Sequence, residues 1–297
     1  METVGRTLIL LNPHGISLRR SGALDSIYSH ADGRDVVLVE TRYAGHAGEY
    51  CRHHAARFDK VVAVGGDGLL MDVVNGSLDS GAAVAPLPAG TASDFVKAAP
   101  GYPATLEAIL ASRDSTQVDL GRVTFSDGGV QCFLTEAGVG LDAACLRYVP
   151  RWLRPISAKR AYDVGALRAV LWARPFAARA VLDGDPLPFA RFLWIAVSNT
   201  PYSGDGMPIA PDARIDDGLL RVFALGEATR REILGNFLLL RRGKHIHHPK
   251  SAYRACRRIE LETDADLDMC FDGDLVLRTP RKWEILPGRL RLVAPAH

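Results

Sequence analysis

The sequence lacks the features that define several large classes of protein. Its five cysteines are odd in number and no two have CxxC spacing, so neither a zinc site nor a disulfide framework is indicated. The apolar run that ends at Leu11 and the later apolar runs are all too short for a signal-peptide core or a membrane span. We therefore expect a cytoplasmic protein whose contact with a membrane, if there is one, is peripheral at the inner face.

A strong overall charge is also lacking. The net charge is +2, from 36 basic and 34 acidic residues, so no nucleic-acid partner is expected. The charge is nevertheless uneven along the chain. Residues 145–180 hold eight Lys or Arg and one acid, and residues 230–258 hold nine and one. Such local basic surface can face phosphates or anionic lipid.

The first third of the 297 residues alternates short apolar segments with helical patterns. The predicted strands are 7–11, 35–40, 60–64 and 82–87, and the predicted helices are 21–30, 45–58 and 69–78. Continuous apolar strands that alternate with helices are typical of a parallel sheet covered on both faces. The sequence thus predicts an α/β, Rossmann-like N-terminal domain.

Beyond residue 117, strand patterns follow one another with Gly, Asp and Pro between them, which predicts an antiparallel β-sandwich. One strand is predicted over 130–141, and helical insertions are predicted at 157–172 and 230–241. We set the domains at 1–120 and 121–286, with about 287–297 packing back on the first domain.

A glycine-rich turn, Gly65-Gly66-Asp67-Gly68, joins a buried strand to a helix. Glycine allows positive φ and close approach of a ligand to the backbone, and a helix N-terminus offers N–H groups to an anion. The carboxylate of Asp67 could hold a divalent cation against phosphate oxygens. The alternative is a tight strand–helix turn without a ligand.

Two further turns follow predicted strands, one at 12–15 and one at 90–94, where Gly90, Thr91 and Ser93 supply amides and hydroxyls. Ligands of open α/β sheets bind beyond the carboxyl ends of the strands, so three such turns favour a nucleotide site. Neither a Walker A sequence nor GxGxxG is present.

A set of motifs occurs in order along nearly the whole chain: Asn12-Pro13, the turn 65–68 with Val74-Asn75-Gly76, 88–95, 138–142, Asn199 with 204–207, 209–220 and Phe271-Asp272-Gly273-Asp274. In this combination the sequence resembles the diacylglycerol kinase catalytic-domain family, which includes bacterial lipid kinases and sphingosine kinases. The resemblance implies a Rossmann-like domain followed by a β-sandwich, as in NAD kinases and diacylglycerol kinases, with ATP and Mg²⁺ in the cleft between them.

The resemblance also implies roles for single residues. Asp272 corresponds to the general base for the lipid hydroxyl, and Asp67 is the second catalytic candidate. A structural magnesium site falls on Asp216, Asp217 and the carbonyl of Leu219. The cofactor-binding candidates are Asn12, Gly65, Gly66, Asp67, Gly68, Asn75, Gly90, Thr91, Asp94 and Asp274.

The sequence departs from the family pattern at several of these positions. Leu69 replaces the usual Thr after the glycine turn, Asp72 replaces Glu, Ser93 replaces Asn, and Asp274 replaces Glu. The turn at 12–15 is shorter than the corresponding turn of the family pattern. Phosphate contact at the glycine turn would then depend more on backbone amides, Thr91 and metal.

The leading hypothesis is an ATP-dependent kinase of phospholipid biosynthesis that phosphorylates a hydroxyl of diacylglycerol or a related lipid such as a sphingoid base. A kinase of a soluble polyol or NAD, and a catalytically silent nucleotide- or lipid-binding protein, are the alternatives. The expected partner is a lipid substrate at the membrane surface, and a homodimer stays open.

Three motifs keep a structural alternative. Asp272-Gly273 could be a hairpin turn, and Asp216-Asp217-Gly218 a turn without metal. In the helix 157–172, the spacing of Val164, Leu167 and Leu171 predicts core packing. The aromatic and basic residues around that helix would also suit a membrane interface.

Overall fold

The computed structural model describes residues 5–13, 23–30, 35–88, 94–103, 105–150, 152–153, 157–204 and 206–295. The chain divides into two compact units. The first consists of Met1–Asp119 and Pro287–His297, and the second of Leu120–Leu286. The chain passes from one unit to the other within strands β5 (Ser115–Phe125) and β17 (Pro280–Val293).

The first unit contains a parallel sheet with the strand order β4-β3-β1-β2, and the end of β17 lies parallel to β4. Its strands and helices are β1 (Thr7–Leu11), α1 (Ala23–His30), β2 (Val36–Glu40), α2 (His46–His54), β3 (Lys60–Gly65), α3 (Asp67–Ser77), β4 (Ala83–Pro88), α4 (Asp94–Lys97) and α5 (Leu106–Ala111). Strands β1 and β3 are buried along their apolar lengths, as expected of central strands that helices cover on both faces.

Helices α2 and α3 approach each other at two glycines. A Cβ atom added to Gly76 would overlap the carbonyl oxygen of Gly48 and lie 2.7 Å from the Cβ of Cys51. Asp72, on the same helix, accepts a hydrogen bond from the backbone N–H of Gly45 (2.9 Å), the residue that caps α2. The close contact therefore depends on residues without bulk at positions 48 and 76.

The second unit consists mainly of antiparallel strands in two groups. In the first group the order is β10-β9-β14-β17, and β5 pairs with β17 and β6. In the second group the order is β13-β12-β11-β7-β15-β16, with β8 beside β11. These strands are β6 (Val130–Phe133), β7 (Ala137–Gly140), β8 (Phe176–Ala177), β9 (Arg179–Leu182), β10 (Asp185–Pro186), β11 (Arg191–Ser198), β12 (Leu220–Gly226), β13 (Ser251–Cys256), β14 (Arg258–Glu262), β15 (Met269–Phe271) and β16 (Asp274–Val276).

The two groups of strands face each other across an apolar core. Trp283 of β17 is fully buried and donates its indole N–H to the carbonyl of Ala137 in β7 (2.9 Å). Phe133 of β6 meets Phe271 of β15 edge to face, with ring centroids 6.1 Å apart. Helices α6 (Leu141–Arg147), α7 (Ala158–Trp172) and α8 (Arg230–Leu240) are inserted between the strands. The predicted α/β unit followed by a β-sandwich is thereby confirmed.

The predicted strand 130–141 is wrong in one respect, since the structure divides it into β6 and β7 and begins α6 at Leu141. Gly140 has φ 96°, a left-handed conformation that ends the strand and that glycine adopts without strain. Residues 134–136, between the two strands, carry contacts of the candidate site.

We expect the substitution Gly76→Ala to lower the free energy of unfolding by about 1–3 kcal/mol, because the new methyl group overpacks a contact that backbone atoms form. Gly235→Ala is the matched control: Gly235 lies within helix α8, and an added Cβ meets nothing within 4 Å. That substitution should stabilise the protein by about 0.5–1 kcal/mol through helix propensity. Urea denaturation measures both values, and equal effects of the two would contradict the close contact.

Candidate functional site

The ends of three parallel strands meet at one edge of the first unit's sheet. Leu11 is in register with Val64, and Gly65 is in register with Pro88. Asn12, which follows β1, donates its backbone N–H to the carbonyl of Val64 (3.1 Å). Two of the predicted turns therefore begin side by side. Gly90, Thr91 and Ser93, which follow β4, lie outside the described residues.

The glycine turn leads directly into helix α3, which begins at Asp67 rather than at 69 as predicted. Gly66 is the N-cap residue and offers no side chain to the first N–H groups of the helix. A Cβ at Gly66 would meet no atom of the described residues within 4 Å. Asp67 is half-buried at the first helical position. An exposed helix N-terminus beside a carboxylate fits a phosphate with its cation.

The glycines serve a purpose other than positive φ. None of Gly65, Gly66 and Gly68 takes a positive φ. A Cβ at Gly65 would instead lie 2.6 Å from a methyl carbon of Leu69, so this glycine makes room for the leucine. The residue that departs from the family pattern is thus packed against the turn itself.

Other predicted cofactor-binding residues of the first unit have partners within it. The side-chain amide of Asn75 donates to the carbonyl of Met71 on its own helix (3.0 Å). Asp94 is buried at the start of α4 and pairs with the ammonium group of Lys97 (2.9 Å). The structure thus brings Asn12 and the glycine turn together, while Asn75 has a contact within its own helix.

In the second unit, Asp272 and Gly273 form the two-residue loop of the hairpin β15–β16, since Phe271 pairs with Asp274. Both residues have positive φ, 46° and 87°, as in the hairpin turns that match the twist of the strands. The hairpin-turn alternative is therefore correct as a description of the backbone. Asp274 is the exposed first residue of β16.

The Asp272 side chain does more than close the turn. Its Oδ1 accepts hydrogen bonds from the N–H of Thr135 (2.7 Å), the hydroxyl of Thr135 (2.6 Å) and the N–H of Glu136 (3.2 Å). Its Oδ2 accepts one, from the N–H of Leu134 (2.9 Å). The N–H of Asp272 donates to the carbonyl of Glu136 (2.8 Å). We call this set of contacts the Asp272 clasp.

The clasp and its surroundings act on the acidity of Asp272 in opposite directions. Burial raises the pKa of Asp272 above its ordinary value of 3.8, although the hydrogen bonds from Thr135, Leu134 and Glu136 lower it. The raised pKa makes the carboxylate a stronger base. Because Oδ1 has three donors and Oδ2 has one, Oδ2 is the oxygen with capacity to accept a further proton.

Two more acids lie next to the clasp, and the sequence did not single them out as site residues. Glu136 is 2% exposed, and its Oε1 and the Oδ2 of Asp142 are both buried. Burial, followed by the charge of Asp142, raises the pKa of Glu136 to about 8. Burial also raises the pKa of Asp142, against a hydrogen bond from the N–H of Ala143 (2.6 Å). The sequence does contain a signal for Glu136, because it is the one acid in residues 132–141, which are otherwise apolar or small.

The predicted structural magnesium ligands already face arginines. The carboxylate of Asp216 accepts from the guanidinium of Arg214 (3.1 and 3.3 Å). Asp217 accepts from the N–H of Leu219 (3.1 Å) and from the buried guanidinium of Arg221 (2.7 Å), which also reaches Asp212. Both carboxylates thus have guanidinium partners, and the magnesium site stays a prediction. No group of three His, Cys, Asp or Glu able to hold a metal occurs within the described ranges.

Two family models match consecutive parts of this chain. The diacylglycerol kinase catalytic domain matches residues 6–123, and the YegS C-terminal NAD kinase beta sandwich-like domain matches residues 135–294. The second match alone spans more than half of the chain.

Individual proteins are similar over most of their lengths. A protein of Bacillus subtilis named diacylglycerol kinase is 27% identical over 89% of this chain and 87% of its own. A protein of Pseudomonas aeruginosa named probable lipid kinase YegS-like is 31% identical over 82% of this chain and 78% of its own. A crystal structure from Bacillus anthracis shares the fold, with a TM-score of 0.77, 22% identity, and 99% and 97% of the two chains covered.

A parallel α/β unit with a glycine turn at its sheet edge, followed by a sandwich that holds an acid in a hairpin turn, defines a class of two-domain kinases. This chain belongs to the family of diacylglycerol kinases and YegS-like lipid kinases. The resemblance drawn from the motifs is thereby confirmed.

We expect Glu136→Gln to change how stability depends on pH. The folded-state pKa of Glu136 lies above the ordinary value of 4.5, so the folded protein binds this proton more tightly than the unfolded chain. The free energy of unfolding that protonated Glu136 contributes is therefore lost as the pH rises from about 4.5 to about 8. The amide cannot titrate, so the variant should gain stability relative to wild type across that window, on the order of 1 kcal/mol per pH unit.

Chemical denaturation at a series of pH values measures this difference. Glu262→Gln is the control, because Glu262 is an exposed residue of β14 in the same unit. A difference between wild type and Glu136→Gln that stays constant with pH would show that Glu136 does not titrate in this window.

Proposed function

We propose that the protein is an ATP-dependent lipid kinase that transfers a phosphoryl group to a hydroxyl of diacylglycerol or of a related lipid such as a sphingoid base. Its membership of the family and the names of its relatives support the reaction class. The observation that carries the mechanism is the Asp272 clasp, which fixes a carboxylate with a raised pKa and leaves capacity on one oxygen.

On the nucleotide side, the N–H groups at the start of α3 would bind the phosphates of ATP, and Asp67 would hold the Mg²⁺ ion. When bound, Mg²⁺ neutralises charge on the phosphates. Gly66 leaves the backbone open to a phosphate, and Asn12 lies at the same sheet edge. Because Leu69 fills the position of the usual threonine, backbone amides carry a larger share of this binding.

On the acceptor side, Asp272 would orient the lipid hydroxyl and take its proton on Oδ2. The hydroxyl oxygen then attacks the γ-phosphorus, the bond from that phosphorus to the β–γ bridging oxygen breaks, and ADP leaves. Three donors on Oδ1 fix the plane of the carboxylate, so that Oδ2 stays in one orientation. Fixed orientation of a base lowers the entropic cost of reaching the transition state.

A lipid acceptor is part of a membrane, so the protein would work as a cytoplasmic enzyme that associates peripherally with the inner membrane face. None of the helices in the described ranges has the length and apolar character that a membrane span requires. The proposed partner is the lipid substrate itself, at the membrane surface.

We expect Asp272→Asn to lower kcat by about 10²–10⁴-fold, the usual contribution of a general base. Asparagine tolerates the positive φ of this turn, so the hairpin should stay folded. Asp183→Asn is a closely matched control. Asp183 has φ 49°, precedes Gly184 in the two-residue turn β9–β10, and accepts from the N–H groups of Arg257 (2.9 Å) and Arg258 (2.8 Å). Equal losses of kcat in the two variants would assign Asp272 a purely structural role.

The choice of acceptor is tested by incubating the purified chain with labelled ATP, Mg²⁺ and a panel of diacylglycerol, sphingosine, glycerol and NAD. We expect label on a lipid and none on the soluble alcohols. Transfer to glycerol or NAD would overturn the lipid assignment. Absence of transfer to every acceptor, with thermal stabilisation by ATP, would indicate a silent homologue.

A further inference from the structure

Helix α7 of the second unit buries its small residues and exposes its large apolar ones. Ala161, Gly165 and Ala169 follow one another at intervals of four, and a Cβ at Gly165 would lie 2.6 Å from the carbonyl oxygen of Cys145. On the exposed side, Leu167 is 56% and Trp172 54% accessible. The predicted core packing of this helix is thus wrong for Leu167, and also for Leu171, which is 50% accessible.

Helix α8 runs antiparallel beside α7. At one end, the guanidinium of Arg230 donates to the carbonyls of Val170 (2.9 Å) and Ala173 (2.7 Å). At the other end, Arg241 lies 3.9 Å from the carboxylate of Asp163. The segment from Asp163 to Ala173 rises by about 15 Å and the segment from Arg230 to Arg241 by about 16 Å, so the two are similar in length.

Two more exposed leucines lie on α8, Leu234 at 48% and Leu238 at 64%. Leu167 and Leu171 lie four and eight residues after Asp163 on α7, and Leu238 and Leu234 lie three and seven residues before Arg241 on α8. Residues four apart share one side of a helix, so the four leucines form one stripe over both helices. We call this stripe, together with Trp172, the α7–α8 face.

Basic residues surround this face. Exposed cations on or next to the two helices are Arg160, Arg168, Arg174, Arg231, Arg242 and Lys244. The two acids in 157–174 and 230–244 are Asp163 and Glu232. Asp163 faces Arg241, and Glu232 pairs with Lys250 (2.9 Å) and caps α8 through Thr229. The rim is therefore strongly positive.

We infer that the α7–α8 face is the surface with which this protein docks onto an anionic lipid bilayer. Leucine and tryptophan side chains would enter the boundary between headgroups and acyl chains, while the arginines contact lipid phosphates. A second copy of the chain is a poorer partner, because a symmetric pairing of this face would bring two positive rims together. Docking through this face would bring the proposed lipid kinase to its substrate. The docking itself follows from exposed leucines and positive charge, and it does not require kinase activity.

Cosedimentation with vesicles tests the docking directly. The full chain is mixed, without nucleotide or diacylglycerol, with phosphatidylcholine vesicles that contain or lack about one-third phosphatidylglycerol. We expect binding to the anionic vesicles that weakens in high salt, and weaker binding to neutral ones. The combined variant Leu167→Gln, Leu171→Gln, Leu234→Gln and Leu238→Gln should lose at least about tenfold in partition, since it has no leucine side chains at this face to transfer out of water.

A matched control and a charge variant make the result specific. Leu277→Gln changes a leucine of the same unit that is 70% exposed and belongs to neither helix, and it should bind as wild type does. Arg168→Gln with Arg242→Gln should weaken binding to anionic vesicles about fivefold per arginine, without affecting neutral ones. Asp272→Asn should bind as wild type, which separates docking from the proposed phosphoryl transfer.

Circular dichroism verifies that each variant is folded. If the folded leucine variant and the arginine variant both bind vesicles as wild type does, the inference is wrong. It is also wrong if analytical ultracentrifugation shows a wild-type dimer that the leucine substitutions dissociate while vesicle binding is unchanged. That outcome would make the face a contact between two copies.

Discussion

The arrangement of the candidate acceptor site depends on one interaction, the hydrogen bonding of the Asp272 carboxylate to the backbone of residues 134–136. An aspartate at positive φ is strained by about 1–2 kcal/mol, and hydrogen bonds of the side chain offset that strain. The same device occurs at Asp183, where the carboxylate also accepts two backbone N–H groups. Turn geometry therefore does not distinguish a base from a structural residue. The surroundings do: Asp272 lies among buried acids, whereas Asp183 bonds to amides on the surface.

Those buried acids impose a constraint of their own. Burial raises the pKa of Glu136, Asp142 and Asp272, and the charges of Asp142 and Asp272 raise that of Glu136 further. Because Glu136 interacts with both Asp142 and Asp272, its protonation would influence a pKa that kinetics assigned to this site. Glu136 also contributes its N–H to the clasp, so its charge and the position of Asp272 are linked through one residue.

The sequence could predict what depends on local pattern. Strands β1 to β4 fall within one residue of their predicted ends, because continuous apolar runs identify buried parallel strands. The sequence also singled out Asp272 and the glycine turn 65–68 as candidate site residues. Partners that are distant in sequence were not predicted. Nothing local shows that Asp272 accepts from residues 134–136, or that Asp72 accepts from the N–H of Gly45. The ion pair of Asp217 with Arg221, four residues away, could have been predicted from spacing.

Helix α7 shows why burial is harder to predict than helicity. Its sequence is apolar on two sides, and periodicity favours the side with the larger residues as the core. The structure buries the other side, that of Ala161, Gly165 and Ala169, and α6 approaches Gly165 so closely that a Cβ there would overlap the carbonyl oxygen of Cys145. Close packing thus takes precedence over hydrophobicity and leaves large leucines in water. Exposed leucines cost free energy in an isolated protein, and a surface that keeps them beside a positive rim is suited to a partner that is apolar and anionic at once. A bilayer with acidic headgroups has both properties.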